Sequence, residues 1–288
     1  EGTTHVMTHH GTPLKRMGLD LRDRPGAEER IDFDALMRRV ARWDFSISQN
    51  AFTTEHWERT YPGSYESLDV GYPRNDVLSN ASEEEVARIR ASLGIEPGRR
   101  ALLYAPTHRE YEKEYVPRLD LANLAGGLGS DFVIMARLHY FYEGDAHLRE
   151  LHEQGRVVDV AAHPSIEELS LAADVLVTDY SSLMFDYAVL DRPIVIHAPD
   201  WDTYRTMRGT YFDLMEEPPG AIARDDAGLV ELFRSGAAWG PEANRARAAF
   251  RERFCSLEDG HAAERVVRRV WFGERVAPVA PLAPGAAS

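Results

Sequence analysis

The 288-residue chain is 44% hydrophobic and 28% charged, and its net charge is −14. This length and apolar content are enough for a substantial core divided between two lobes of ordinary size. The acidic balance disfavours nucleic-acid binding, which needs a basic face. A single cysteine, Cys255, excludes an internal disulfide and a cysteine-based zinc site, so the reducing cytosol is the simplest compartment. No apolar run approaches the ~20 residues of a membrane-spanning helix.

The N-terminal part of the chain predicts short elements that lead to a cluster of turn residues. In chain order they are a strand at Thr4–His9, a turn at His10–Lys15, a charged loop at Arg22–Arg30, a helix at Phe33–Trp43 capped by Asp32, a strand at Phe45–Ser48 and a helical turn at Thr54–Arg59. The turn cluster Val70–Asp76 is the predicted lobe boundary. Because the first strand begins almost at once, we expect further strands of this lobe to precede Glu1.

A regular alternation of strands and helices follows. The predicted strands are Arg100–Ala105, Asp131–His139, Val157–Val160, Val175–Thr178 and Pro193–His197. The predicted helices are one from the capping box at Ser82 to Leu93, then Leu119–Leu128, Ser165–Ala173, Ala227–Ser235, Pro241–Phe254 and Gly260–Phe272. This alternation favours an α/β fold with a doubly wound parallel sheet. Right-handed crossovers would bring the strand ends at Thr107, His139 and Thr178 to one edge of that sheet.

The stretch Asp174–Pro193 is the most informative part of the sequence. A buried apolar strand runs into a polar turn, and an amphipathic helix follows until Pro193 closes it. The polar side chains of the turn are Thr178, Asp179, Ser181 and Ser182. The N–H groups of a helix's first turn are unpaired and the helix dipole is positive there, which favours an anion. The simpler alternative is an ordinary N-cap by Ser181 or Thr178.

Reactive side chains collect at four predicted strand ends. They are His10 and Lys15; Thr107, His108 and Arg109; Arg137 and His139; and Asp179, Ser181 and Ser182. Taken singly, a histidine is more often a hydrogen-bonded structural group and an arginine more often an ion-pair partner. Four clusters at the carboxyl edge of one sheet favour a ligand site instead. The absence of GxGxxG and Walker A sequences disfavours the common dinucleotide and P-loop NTPase functions.

Seven motifs stand in a fixed order along the chain. They are HGTPLK at His10–Lys15, GYPRND at Gly71–Asp76, YAPTHR at Tyr104–Arg109, RLH at Arg137–His139 before Tyr140, TDYSSLMFDYA at Thr178–Ala188, RGTYFD at Arg208–Asp213, and Asp259–Gly260 with Glu264–Arg265. This ordered set resembles the CDP-glycerol glycerophosphotransferase family, the teichoic acid polymerases and primases. The resemblance covers the chain from His10 to about Arg269. The individual motifs are weak, but the ordered set is highly specific.

The resemblance implies a GT-B architecture, in which two Rossmann-like lobes face a cleft. It also implies transfer of a polyol phosphate, in the first instance glycerol phosphate, from a CDP-activated donor such as CDP-glycerol to a hydroxyl of a wall or capsule polymer. Within that family pattern His10 is the catalytic base, His139 lies against the donor diphosphate, and Ser181 and Ser182 hold phosphate. The chemistry agrees, because histidine titrates near working pH and a loose phosphoryl transition state needs positioning and charge neutralisation.

We therefore expect His10 and His139 to be catalytic, and the strand register decides whether His9 or His10 faces the cleft. The expected donor-binding residues are Pro106, Thr107, Arg109, Arg137, Thr178, Asp179, Ser181, Ser182 and Asp186. The expected acceptor or cleft residues are Gly11, Thr12, Lys15, Arg208 and Asp213. No metal site is expected, although Asp179 and Asp186 leave Mg²⁺ bridging of the diphosphate open.

The expected domain division follows the motifs. Residues 1–78 form the C-terminal part of the acceptor-side lobe, and residues 79–240 form the CDP-donor lobe. Residues 241–272 are helices that pack across the lobes, and residues 273–288 are a disordered tail rich in Pro and Ala.

Two other functions stay open at this point. One is a non-catalytic nucleotide-binding lobe of a larger protein, and the other is a sugar-nucleotide glycosyltransferase of the same architecture. The family resemblance also implies lipid-linked acceptors and peripheral attachment to the cytoplasmic face of the membrane. Two groups of arginines are candidates for that contact. The first contains Arg245, Arg247, Arg251 and Arg253, and the second contains Arg265, Arg268 and Arg269. The simpler explanation is that these arginines lie on solvated helix faces.

Overall fold

A computed structural model describes residues 2–22, 24, 31–109, 111–112, 116–138 and 146–276, with residues 146–148 described by their backbone only. The strands of this part are β1 (Val6–Met7), β2 (Phe45–Ser48), β3 (Glu66–Asp69), β4 (Arg100–Ala105), β5 (Phe132–Ala136), β6 (Val157–Asp159), β7 (Val175–Thr178), β8 (Ile194–His197) and β9 (Ala221–Ala223). The helices are α1 (Phe33–Val40), α2 (Ala51–Thr60), α3 (Asp76–Asn80), α4 (Glu83–Ser92), α5 (Leu121–Leu128), α6 (Ala146–Glu153), α7 (Ile166–Ala172), α8 (Leu183–Tyr187), α9 (Trp201–Arg208), α10 (Asp226–Arg234), α11 (Pro241–Phe254) and α12 (Ala262–Phe272).

The first three strands form a parallel sheet in the order β1-β2-β3. The sequence predicts β1 and β2 but misses β3, whose residues Glu-Ser-Leu-Asp leave only Leu68 buried. A mostly polar strand of this kind suits the exposed edge of a sheet, where one face and one side meet solvent. Leu68 packs with Ile47, Val70 and Val266, so α12 covers this sheet.

The second sheet contains six parallel strands in the order β6-β5-β4-β7-β8-β9. The chain therefore winds outward in one direction from β4 to β6 and then returns to build the other half from β7 to β9. The direction of winding reverses between β4 and β7, and this is the switch point at which doubly wound sheets bind ligands. Ala105 at the end of β4 pairs with Thr178 at the end of β7, so the two strand ends are level.

Alternate residues of β4 pack on opposite faces of the six-stranded sheet. Leu103 belongs to a core that also contains Phe185 and Phe254, whereas Leu102 and Tyr104 belong to a second core under α5 and α10. This two-sided burial explains why β4 and β7 read as continuous apolar runs rather than as alternating ones.

The C-terminal helices connect the two sheets. Phe254 of α11 packs in the core of the six-stranded sheet, and its carbonyl accepts a hydrogen bond from Asn50 at the start of α2 (2.8 Å). The carboxylate of Asp76 accepts hydrogen bonds from the backbone N–H groups of Ala262 and Ala263 at the start of α12 (2.9 and 2.8 Å). The fold is thus the expected α/β arrangement with two parallel sheets, of the GT-B type.

The predicted helix starts are confirmed by their caps. Asp32, Ser82 and Ser165 each accept a hydrogen bond from the N–H three residues later, at Ala35, Glu85 and Glu168. The helical segment after Ser182 ends earlier than the predicted end at Pro193. It ends at Asp191, two residues before Pro193, because Asp191 adopts a left-handed conformation with a φ of 52°. The sequence also gave no prediction for α3, α6, α9 and β9.

No helix in the part of the chain that the structure describes is long and apolar enough to cross a membrane. The division into domains stays a prediction, and residues 277–288 of the predicted tail lie outside the described residues.

Candidate functional site

A cavity of about 400 Å³ opens at the switch point of the six-stranded sheet. Its walls come from the ends of β4 and β5, the loop after β6 and the turn after β7. The lining residues are Ala105, Pro106, Arg137, Leu138, Ala161, Ile166, Ser181 and Leu183. Three of the expected donor-binding residues, Pro106, Arg137 and Ser181, therefore line one cavity. This volume and mixed lining are those of a small-molecule site.

The turn between β7 and α8 forms one wall of the cavity. Of the two expected caps, Ser181 is the one whose side chain bonds the helix: its Oγ atom accepts a hydrogen bond from the N–H of Leu183, the first residue of α8 (3.3 Å). Thr178 does not cap the helix, because it is fully buried and its hydroxyl donates to the carbonyl of Ala105 (2.6 Å). Ser182 stands at the N-cap position directly before α8, and its hydroxyl makes no capping bond.

The structure separates the roles of the two adjacent histidines. The ring of His9 stacks on Trp57 with ring centroids 4.4 Å apart, and its Nε2 shares a hydrogen bond with Ser46 Oγ (2.9 Å). Burial, together with the neighbouring His10, lowers the pKa of His9 to about 3. His10 is exposed instead. Of the two adjacent histidines, His10 is therefore the one more open to solvent.

The protein around His10 keeps its imidazole neutral. Partial desolvation and the positive charges of Lys15 and Arg74 lower its pKa below the usual 6.5. A histidine of this kind is unprotonated at neutral pH and can accept a proton.

Gly11 brings the loop of His10 against the turn between β7 and α8. A Cβ atom at Gly11 would lie 3.6 Å from Ser182 Oγ and 3.3 Å from Arg74 Nη2, and the φ of Gly11 is 144°. Both the close approach and the backbone conformation favour glycine. The HGT motif and the TDYSS motif, 171 positions apart at Gly11 and Ser182, therefore meet in space.

Arg109 and Asp179 are expected to bind the donor, but the structure buries them against each other. Arg109 donates to Asp179 Oδ2 (2.8 Å) and makes a bidentate pair with Asp200 (2.9 and 3.0 Å). Its guanidinium also lies over the ring of Tyr180, 4.7 Å from the centroid. Asp179 Oδ1 accepts the N–H of Thr107 (2.8 Å). These groups tie the ends of β4 and β7 together behind the cavity.

The other expected residues are held by contacts within the protein. Thr12 is fully buried, and its hydroxyl donates to Gln49 (2.7 Å). Lys15 pairs with Thr210 in an antiparallel bridge, and Arg208 donates to the carbonyl of Arg16 (3.2 Å). Asp213 accepts from Arg205 and from the N–H of Met215 (both 2.9 Å). His139 lies outside the described residues.

Three residues that were not expected at the site form a polar cluster under the loop of His10. Arg74 donates to Asp186 Oδ2 (2.7 Å), and Asn75 donates to Asp186 Oδ1 (3.0 Å) and to Glu258 (3.3 Å). Arg74 and Asn75 belong to the GYPRND motif, and Glu258 directly precedes Asp259. The motifs thus marked these positions, but nothing in the sequence gave their partners.

The two carboxylates for which Mg²⁺ bridging of the diphosphate was left open are both held by other groups of the protein. Asp179 is occupied by Arg109 and backbone N–H groups, and Asp186 by Arg74 and Asn75. The described residues contain no group of three or more His, Cys, Asp or Glu side chains that could hold a metal ion.

Comparisons with known proteins extend this picture. The chain is 34% identical to the teichoic acid poly(glycerol phosphate) polymerase of Bacillus subtilis over 94% of its own length and 38% of that protein. It is also 34% identical to the teichoic acid glycerol-phosphate transferase of Staphylococcus aureus over 93% of its own length and 71% of that protein. A solved structure of a variant of the wall teichoic acid polymerase TagF, soaked with CDPG, superposes with a TM-score of 0.80 and 34% identity, covering 92% of this chain and 66% of that one.

The chain thus spans between about two fifths and about seven tenths of the length of these curated relatives. The family model for CDP-glycerol:poly(glycerophosphate) glycerophosphotransferases matches residues 1–272. The chain therefore belongs to the CDP-glycerol:poly(glycerophosphate) glycerophosphotransferase family.

Proposed function

We propose that this protein is an enzyme that transfers glycerol phosphate from CDP-glycerol to a hydroxyl group of a teichoic-acid-type polymer and releases CMP. The observation that carries the proposal is the close approach of Gly11, which follows His10, to Ser182, which stands between the cavity-lining Ser181 and Leu183. A proton acceptor and a phosphate-binding turn are thereby adjacent, and these are the two parts that phosphoryl transfer needs.

His10 supplies the base. The acceptor oxygen forms a bond to the glycerol-bearing phosphorus, the bond from that phosphorus to the CMP oxygen breaks, and the alcohol proton passes to the imidazole. Because its pKa is lowered by partial burial, Lys15 and Arg74, His10 is in the neutral form that can take this proton. A positioned general base contributes about 10²- to 10⁴-fold to such a step.

The donor side of the site carries the negative charge of the diphosphate. Arg137 and Ser181 line the cavity, and Ser182 lies at its edge beside Gly11. Arg137 Nη1 donates to the carbonyl of His163 (2.9 Å), which holds the guanidinium at the cavity wall. His139 follows two residues later, and we keep it as a second catalytic residue at the diphosphate.

We also infer a lipid-linked acceptor and peripheral contact with the cytoplasmic membrane face. Most of the two arginine groups considered for that contact are in ion pairs. Arg247 and Arg251 pair with Asp191, Arg253 with Glu217, Arg265 with Asp259, Arg268 with Glu264, and Arg269 with Glu66. These arginines do not support a basic lipid-binding surface, so the contact has to come from elsewhere in the protein.

The test is a transfer assay with CDP-glycerol and a polymer acceptor, combined with calorimetry. We expect His10→Ala to lose transfer by at least about 100-fold while keeping its affinity for CDP-glycerol. His261→Ala, which changes an exposed histidine at the start of α12, is the matched control and should stay at the wild-type rate.

Three outcomes would contradict the proposal. Full activity of His10→Ala would show that His10 is not the catalytic base. Binding of CDP-glycerol without turnover in the wild type would favour a nucleotide-binding module. Competition by UDP-glucose but not by CMP would favour a sugar-nucleotide glycosyltransferase.

A further inference from the structure

Arg74 joins the loop of His10 to the donor lobe. Its Nη2 atom donates to the carbonyl of His10 (3.0 Å) and to Asp186 Oδ2 (2.7 Å). A Cβ atom at Gly11 would lie 3.3 Å from the same nitrogen. The guanidinium therefore fills the space directly behind the His10–Gly11 loop, and it holds both the loop and α8.

We propose that Arg74 is a positioning residue for the base His10. Anchored by Asp186, it fixes the backbone of the His10–Gly11 loop against the donor lobe, so that the imidazole faces the bound donor. This inference rests on the proposed function, because it takes His10 as the base.

Asp186 is a strong anchor because both of its oxygens are used. Its side chain is only 7% exposed, with Arg74 on Oδ2 and the amide of Asn75 on Oδ1 (3.0 Å). Charge-assisted hydrogen bonds of this kind are about twice as strong as neutral ones. Arg74 and Asn75 are consecutive, so the carboxylate holds the whole turn that contains them.

The anchor also couples the base to the phosphate-binding turn. Ser182 immediately precedes α8, and Asp186 lies within α8, four residues after Ser182. Whatever places Ser182 against the diphosphate therefore also places Asp186, and through Arg74 it places the backbone of His10. A shift of about 1 Å in a reacting group can reduce a rate by about 10²-fold, so a rigid connection of this kind matters for the chemistry.

Arg74 is also one of the charges that His10 senses. The charged and titratable groups around the imidazole are Lys15 and His9 on its own loop and Arg74 from the turn, with Asp186 of α8 and Glu167 of α7 behind Arg74. Glu167 lies 3.6 Å from Arg74 Nη1. Loss of the Arg74 charge would leave these two carboxylates uncompensated, and the pKa of His10 would rise.

The experiment separates the anchoring role from the charge. Arg74→Gln removes both, Arg74→Lys keeps the charge but cannot bridge two acceptors as a guanidinium does, and Asp186→Asn removes the anchor while Arg74 stays charged. Arg90→Gln is the matched control, because Arg90 likewise bridges a carbonyl and a carboxylate, at Ala172 (2.6 Å) and Asp174 (3.0 Å). Asp174 precedes β7, whereas the site lies beyond its other end.

Two readouts are needed. The first is kcat with CDP-glycerol. The second is the pKa of His10, measured by NMR titration of its ring Cε1–H signal. That signal is assigned as the resonance that disappears in His10→Ala. We expect all three site variants to lose about 10- to 100-fold in kcat. The pKa of His10 should rise in Arg74→Gln and stay below 6.5 in Arg74→Lys and Asp186→Asn.

The proposal is overturned if Arg74→Gln keeps both the wild-type kcat and the wild-type pKa of His10, or if Arg90→Gln loses as much activity as the site variants. The titration needs no turnover. If His10→Ala keeps full activity, the proposed function fails, while the titration still reports whether Arg74 acts on His10.

Discussion

The substitution Glu258→Gln should make the protein more stable at alkaline pH. Glu258 is 3% exposed, and its Oε1 accepts hydrogen bonds from the N–H of Tyr72 (3.2 Å) and from Asn75 (3.3 Å). Its other oxygen is buried without a hydrogen-bond partner among the described residues. Burial, together with the nearby charge of Asp186, raises the pKa of Glu258 from 4.5 to about 8. The carboxyl group is therefore protonated in the folded protein at neutral pH.

The sign and the size of the effect follow from this pKa. Between pH 4.5 and about 8 the folded state holds a proton at Glu258 that the unfolded chain has lost, so the free energy of unfolding falls as the pH rises through this interval. A tenfold change in proton affinity is worth about 1.4 kcal/mol, so the full penalty is at most about 5 kcal/mol. Glutamine carries no charge at any pH and removes this dependence.

The assay is urea denaturation of the wild type and of Glu258→Gln at pH 5 and at pH 8.5. We expect the stability of the variant relative to the wild type to improve by about 2–5 kcal/mol between the two pH values. Glu264→Gln is the matched control, because Glu264 lies on the surface of α12 in an i,i+4 pair with Arg268. If the stability difference for Glu258→Gln is the same at both pH values, Glu258 is ionised in the folded protein and the reasoning is wrong.

Three further predictions concern the site itself. Gly11→Ala should fold but lose at least about tenfold in transfer activity, because the added Cβ would lie 3.3 Å from Arg74 and the φ of 144° at this position disfavours a side chain. A wild-type rate with normal circular dichroism would contradict this prediction. Arg109→Met should reduce the free energy of unfolding by about 3–5 kcal/mol, since it leaves the buried carboxylate of Asp179 unpaired, and a loss below about 1 kcal/mol in urea denaturation would refute that role. The acidic limb of kcat/KM should lie below pH 6.5, because activity needs neutral His10 and its pKa is lowered; a limb above 6.5 would point to another base.

Local patterns predicted the elements that local chemistry controls. Asp32, Ser82 and Ser165 start helices because their side chains satisfy N–H groups three residues away, and such bonds are encoded in adjacent sequence. The apolar runs of β4 and β7 were visible because both faces of the sheet are buried. The edge strand β3 was not visible, since only Leu68 of its four residues is buried.

Charged residues were harder to assign. Arg109 and Asp179 look like ligand-binding groups in the sequence, because they follow strands at the correct edge of the sheet. In the fold Arg109 makes ion pairs with both Asp179 and Asp200, and Asp200 is 91 positions away from Arg109. A sequence shows that a charge is present at a strand end, but not which other charge lies opposite it.

The sequence by itself determined the family, the parallel doubly wound sheet and the motifs that contribute to the site, because these depend on residue order and on periodicity along the chain. Tertiary structure alone decided that His9 stacks on Trp57 while His10 stays exposed, and that Gly11 lies against Ser182. It also decided that Arg74 bridges His10 and Asp186. The physical reason is that these outcomes depend on contacts between residues more than about 30 positions apart, and such contacts exist only once the chain has folded.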